Sequence, residues 1–246
     1  MKRILHAAVA VLLVGGAHLA MAQNLVVNPS FETVSTQTVN TSPNIVDVPD
    51  SWTQAGSTGC AFQALAVGDT AQSGGDFTIG TNAAPPTDGA RVLISDQGPS
   101  NTSCRIFQDV ALPAGSASIS LTLDAGFTFR NNGTFGSNGL VTVTTTAGVL
   151  LLPVYSRTDV QGTDALAARA VDLTPFAGQT VRIVGTINEV GSDWAGLQID
   201  NVQVIAAAAP AAPPVPTPTL SNAFLLLLAT LLGLGGWIAI RRMPRG

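Results

Sequence analysis

Five carboxylates, Asp124, Asp159, Asp164, Glu189 and Asp193, could in principle supply a pair for general acid and base work of the kind glycoside hydrolysis needs, but no spacing singles out two of them. The other residues suited to chemistry are aromatic. Trp52 in "PDSWTQ", Trp194 in "GSDWAG" and Phe135 in "NNGTFGSNG" stand in turn-like segments, with Arg130, Asn131 and Asn132 nearby. Flat apolar rings beside polar side chains suit a sugar, whose ring stacks while its hydroxyls are fixed by hydrogen bonds. Against a strong lectin face stands the poverty of the surface in such rings, Tyr155 being the sole tyrosine.

What is missing narrows the chemistry further. Both histidines, His6 and His18, and the only lysine, Lys2, precede residue 23. Between residues 23 and 206 there is thus no Ser-His-Asp triad, no Cys-His pair, no His-ligated zinc and no Schiff-base lysine. GxSxG, HExxH, P-loop and dinucleotide fingerprints are absent as well. The same stretch carries all 15 acidic residues against six arginines, a net charge of −9. Nucleic acid and anionic membrane surfaces, which call for a basic field, are excluded as expected partners. The reading is of a protein that is not an enzyme.

The ends of the chain read as addresses. Lys2 and Arg3, the apolar run that follows and the small-x-small Ala20-Met21-Ala22 describe a signal peptide over 1–22, with the mature chain starting at Gln23. Residues 223–240 hold 18 positions without a charge. At about 1.5 Å each they span roughly 27 Å, close to the bilayer core, so they read as a transmembrane helix. Arg241, Arg242 and Arg245 follow and place the C-terminus inside. In an oxidising compartment the only cysteines, Cys60 and Cys104, form a disulfide by default, two buried thiols being the alternative. Residues 207–217, rich in Pro and Ala, read as a semi-rigid linker.

Between signal and linker, residues 23–206 predict one all-β domain. In "ASISLTLDAGFTF" the odd positions from Ala117 to Phe129 are apolar and the even ones are Ser, Thr, Asp or Gly, a period of two over a long strand. "ARVLISD", "RIFQDVAL", "LVTVTTT", "VLLLPVY", "TVRIVGTI" and "GLQIDNVQV" read as further strands between Gly-, Asn-, Asp- and Pro-rich turns. "DALAARAVDL" suits a helix or a bulged strand. Such punctuation points to a sandwich or barrel.

Two resemblances follow from these residues. Pro218-Thr219-Leu220-Ser221, the apolar run and Arg241-Arg242 resemble the IPTL-CTERM sorting signal, a relative of PEP-CTERM signals, here over 218–246. That resemblance implies a temporary inner-membrane anchor, an exosortase-type processing protease as partner, and a domain that is first periplasmic and then at the cell surface or outside the cell. "NLVVNPSFE" and "LQIDNVQV" resemble the terminal strands of galactose-binding-like β-jelly rolls, and "DGARVLIS", "CRIFQDVALPAG" and "SISLTLDAGFTFR" follow the same strand order. The resemblance implies a two-sheet antiparallel jelly-roll sandwich, a structural Ca²⁺ held by Glu32 and Asp200, and a Trp after the first strand that usually plugs one end of the sandwich. The function expected is that of a non-enzymatic cell-surface or matrix protein. The alternative is a carbohydrate-binding module for an envelope or matrix polysaccharide.

Overall fold

A computed structural model describes residues 23–38, 45–57, 61–71, 77–96, 102–130, 136–190, 194–209, 224 and 226–232. Residues up to Ala209 belong to one compact unit and those from Pro210 onward to another.

The first unit is a β-sandwich of two antiparallel five-stranded sheets, consistent with a jelly roll. Its strands are β1 (Val34–Thr38), β2 (Ile45–Pro49), β3 (Thr53–Gly56), β4 (Ala61–Ala66), β5 (Arg91–Asp96) and β6 (Thr102–Ala111). They continue with β7 (Ser116–Arg130), β8 (Asn138–Thr145), β9 (Leu150–Thr158), β10 (Asp164–Asp172), β11 (Thr180–Glu189) and β12 (Trp194–Ala208). One sheet runs β10-β7-β12-β5-β4 and the other β3-β6-β11-β8-β9, while β1 and β2 form a separate hairpin. The inward residues of both sheets, among them Ile106, Leu121, Phe127, Val141, Ile183 and Leu197, make one continuous core. Where the sheets press closest the interior uses glycine: a Cβ on Gly185 of β11 would lie 2.7 Å from the Ile199 side chain of β12.

The period of two is visible in β7, where Ile119, Leu121, Leu123, Ala125 and Phe127 are buried, but Ala117 is exposed. From Asp124 to Thr128 the even positions are buried too. The segment before β5 covers that outer face, with Thr128 donating to the Asn82 carbonyl at 2.8 Å and Thr87 donating to Asp124 at 2.6 Å. "DALAARAVDL" is a strand, with an irregularity between Asp164 and Ala167. Its alternating burial, not its alanines, sets its conformation.

The opening motif differs from expectation. "NLVVNPSFE" forms no strand, only a bridge from Asn24 to Ile205 and a tight turn in which Asn28 and Phe31 take φ of 52° and 59°. It still lies against the last strand, since Leu25 donates to the Val204 carbonyl at 2.9 Å. β12 runs on through Ala208, two residues into the expected linker.

In the second unit Phe224 and residues 226–232 are helical, with Leu226, Leu227, Leu228, Leu231 and Leu232 exposed. Among the described residues no helix is long and apolar enough to cross a membrane. The remainder of 223–240, residues 1–22, read above as a signal peptide, and the expected sorting motif 218–221 with Arg241 and Arg242 lie outside the described residues.

Candidate functional site

The outer face of β3-β6-β11-β8-β9 carries an open groove built by strand alternation. On β6, Cys104, Ile106 and Gln108 turn inward, leaving Ser103, Arg105, Phe107 and Asp109 on the outer face. On β11, Arg182, Val184, Thr186 and Asn188 do the same. Antiparallel register sets them abreast: Ala55 beside Arg105, Arg105 beside Thr186 and Thr186 beside Leu140 in one row, with Phe107, Val184 and Thr142 in the next.

Two cavities meet on this face. One of about 570 Å³ is lined by Gly56, Ser57, Ser103, Arg105 and Thr186. The other, of about 340 Å³, runs past Arg105, Phe107, Thr142, Thr144, Arg182 and Thr186. Arg105 and Thr186 belong to both, so they form the saddle between them.

The groove's polar groups are ordered by one another. Arg182 forks onto Asp109, with Nε and Nη2 donating at 2.6 and 2.9 Å, and its guanidinium sits 4.0 Å from the centre of the Phe107 ring. The hydrogen bond from Arg182 holds the Asp109 carboxyl below its ordinary range. At the far end Ser103 donates to Asn188, which donates in turn to Asn138, at 2.7 and 3.0 Å. Such a surface can hold a flexible polar chain by hydrogen bonds.

The candidate aromatics are placed elsewhere. Trp52 is only 7 % exposed. It packs against Phe31 with ring centroids 5.2 Å apart, and its indole N–H donates to the Asn28 carbonyl at 3.2 Å. It plugs the sandwich and offers no stacking face, which corrects its candidacy as a sugar platform. Trp194 begins β12 opposite Arg130 of β7 and is half-buried against the cluster containing Leu65, Phe77 and Ile79, while Arg130 is exposed. Asn131, Asn132 and Phe135 lie outside the described residues.

Among the carboxylates, each described one holds neighbouring structure together. Asp159 accepts from the amides of Gly136, Ser137 and Val160, and Asp164 accepts from Tyr155 and Arg169. Tyr155 is itself buried beneath the Arg169 guanidinium, and burial pushes its phenol pKa up. Glu189 accepts from the Ala195 amide at 2.9 Å. Asp193 lies outside the described residues.

Glu32 and Asp200 converge on one loop, residues 87–91. Glu32 Oε1 accepts from the amides of Ala90 and Arg91 at 2.7 and 2.8 Å. Gly89 (φ 71°) lies so close that a Cβ there would stand 2.3 Å from the same oxygen. Asp200, fully buried, accepts on Oδ2 from the Thr87 amide, the Thr87 hydroxyl and the Asp88 amide, and on Oδ1 from the Asn201 amide. The partners of both carboxylates are backbone amides and the Thr87 hydroxyl. No group of three or more His, Cys, Asp or Glu able to hold a metal ion occurs among the described residues. As arranged, Glu32 Oε1 and both Asp200 oxygens are engaged by hydrogen-bond donors of this loop and its neighbours.

Cys104 is fully buried on β6 opposite Gly56, and no described cysteine is a free thiol. Cys60 lies outside the described residues.

No protein-family model matches the chain, and no curated protein matches its sequence. Among solved structures it resembles a family 61 carbohydrate-binding module in complex with β-1,4-galactotriose at 16 % identity and a TM-score of 0.43, over 75 % of this chain and 99 % of that one. It also resembles the K1 cleaved adhesin domain of Lys-gingipain from Porphyromonas gingivalis, with 14 % identity, a TM-score of 0.43 and coverage of 74 % and 96 %. A third is the family 11 carbohydrate-binding module from Clostridium thermocellum in complex with a mixed-linked tetrasaccharide, with 8 % identity, a TM-score of 0.33 and coverage of 72 % and 99 %. Likeness at this level assigns neither ligand nor activity.

The groove is the feature that sequence reasoning missed. Its signal was available in "SCRIFQD" and "VRIVGTIN", where two of the domain's six arginines fall on the outward phase of strands whose other phase is apolar.

Proposed function

We propose that the β-sandwich is a non-catalytic carbohydrate-binding module, displayed at the cell envelope, whose ligand lies in the groove across β6, β11 and β8. The observation that carries this reading is the pair of cavities joined at Arg105 and Thr186. They form an open trough of mixed polar and apolar lining on a rigid sheet, the kind of surface that can follow an extended saccharide. The earlier expectation of a surface or matrix protein is retained in coarser form, since a module of this kind acts where its glycan is. The absence of catalysis is supported by the separate structural duties of Asp124, Asp159, Asp164 and Glu189.

Export, transient anchoring through 218–246 and removal of the tail by an exosortase-type protease belong to the same proposal. They rest on the sequence, and intact-mass analysis of the released protein should give a chain ending near Leu220 or earlier. Recovery of full-length protein alone would sink the processing step. For the loop at 87–91, the proposal is that amide and hydroxyl donors, rather than calcium, balance Glu32 and Asp200.

The test of function is a glycan array probed with the full chain in mild detergent. Retention of polysaccharides or oligosaccharides above background is the expected result. A silent array across neutral and acidic glycans would overturn the reading.

A further inference from the structure

The sign of charge in the groove is opposite to that of the domain around it. Fifteen acidic residues and six arginines share residues 23–206, yet no Asp or Glu lines either cavity, whereas Arg105 and Arg182 do. The two arginines are not equivalent. Arg182 is committed to Asp109 and to the Phe107 ring. Arg91 and Arg169 are likewise paired with carboxylates, and Arg157 donates to the carbonyls of Gln161, Gly162 and Thr163. Among the described residues Arg105 is the arginine whose side chain makes no hydrogen bond, ion pair or ring contact, and it is exposed at the saddle between the cavities.

Phe107 adds a second constraint. Its ring is approached by the Arg182 guanidinium at 4.0 Å, so it is not a bare platform for a neutral sugar ring. Recognition in this trough must therefore come from hydrogen bonds, and the strongest donor left over is a planar guanidinium with its fork unspent. Its geometry matches a carboxylate in bidentate fashion. A single such fork does not make a field for nucleic acid, but it is enough to read one acidic substituent on a saccharide.

On the reading that the groove binds saccharide, we propose that its ligand class is acidic: a polysaccharide containing uronic or otherwise carboxylated sugars, one carboxylate of which is gripped by Arg105. Thr186 and Ser103, which line the groove on either side of that residue, hold sugar hydroxyls.

The experiment compares retention of the full chain on polygalacturonate, alginate and hyaluronan with retention on the methyl-esterified form of each. The esters keep the sugar frame and remove the charge. Wild type is expected to bind at least one acidic polymer and to bind its ester at least about tenfold more weakly, the loss of one charge-assisted contact. Arg105→Gln is expected to show the same loss toward the acid with little change toward the ester. Thermal melting of each variant reports whether it remains folded. Equal binding of acid and ester, retention of neutral glycans alone, or an Arg105→Gln variant that is folded and binds the acid undiminished overturns the acidic ligand while leaving a saccharide groove in place. No retention on any polymer, acidic, esterified or neutral, overturns both.

Discussion

Asp200→Ala is expected to lower the thermal midpoint by about 6 to 20 °C. Asp200 is wholly buried, and its two oxygens receive four donors, three of which come from Thr87 and Asp88. Removing the acceptor leaves those donors unsatisfied away from water, at about 1 to 3 kcal/mol each before relaxation, for a net cost of about 3 to 5 kcal/mol. In a domain of this size each kcal/mol moves the midpoint by about 2 to 4 °C. Burial raises the Asp200 pKa above the ordinary 3.8, against the pull of its hydrogen bonds. With the folded value above the unfolded one, this group favours the folded state most below the unfolded pKa, and that contribution is lost as the pH rises through the folded value. Asp200→Asn should remove this slope from the melting profile. Chelating calcium should leave the wild-type midpoint where it is. An ion present at 100 times its dissociation constant would contribute about 2.7 kcal/mol, so a fall of about 5 to 11 °C in chelator would show that a cation, not the amide donors, closes this loop.

Opening the proposed Cys60–Cys104 disulfide is expected to cost a similar amount. The bridge would close a loop of about 45 residues, and chain entropy assigns such a closure about 3 to 4 kcal/mol. That loop contains β4, β5 and the covering segment 77–87, which contacts β7 through Thr87 and Asn82. Losing the constraint should thus lower the midpoint by about 10 °C in protein unfolded and refolded under reductant. Non-reducing mass spectrometry of exported protein should find the two cysteines linked. Alkylation of both without prior reduction would dispose of the bridge.

The long, regular strands were the legible part of the fold. β7, β6, β11 and β12 alternate in sequence because one face of each is core, even where β7 and β12 are covered on the other face too. β4 was not legible, since "AFQALA" is buried on both faces and even Gln63 is fully covered. The β1–β2 hairpin was missed because β1 is almost wholly polar and β2 offers only the buried Val46 and Val48 beside Asp47. The ends of the domain were paired correctly in space, as Asn24 bridges Ile205, although the first of them is a turn. Glu32 and Asp200 were expected as ligands of one calcium ion, but the loop that both of them engage was not read. Their engagement of it depends on the main-chain path of residues 87–91, which no side-chain pattern encodes.

The groove, though its arginines were in view on outward strand phases, went unread for a different reason. Arg105, Thr186 and Leu140 are far apart in the chain and become neighbours only through the order β6-β11-β8 and its register. Turn-borne aromatics were the more visible candidates, yet the first of them is the Trp52 plug.

The most direct measurement of the central claim is a binding titration of Thr186→Trp against the glycan that the wild-type chain retains best. Thr186 faces outward and borders both cavities, so an indole there fills the saddle without entering the core. Binding at least about tenfold weaker than wild type, with an unchanged melting midpoint, is the expected result. Undiminished binding by the folded variant would contradict the groove as the site.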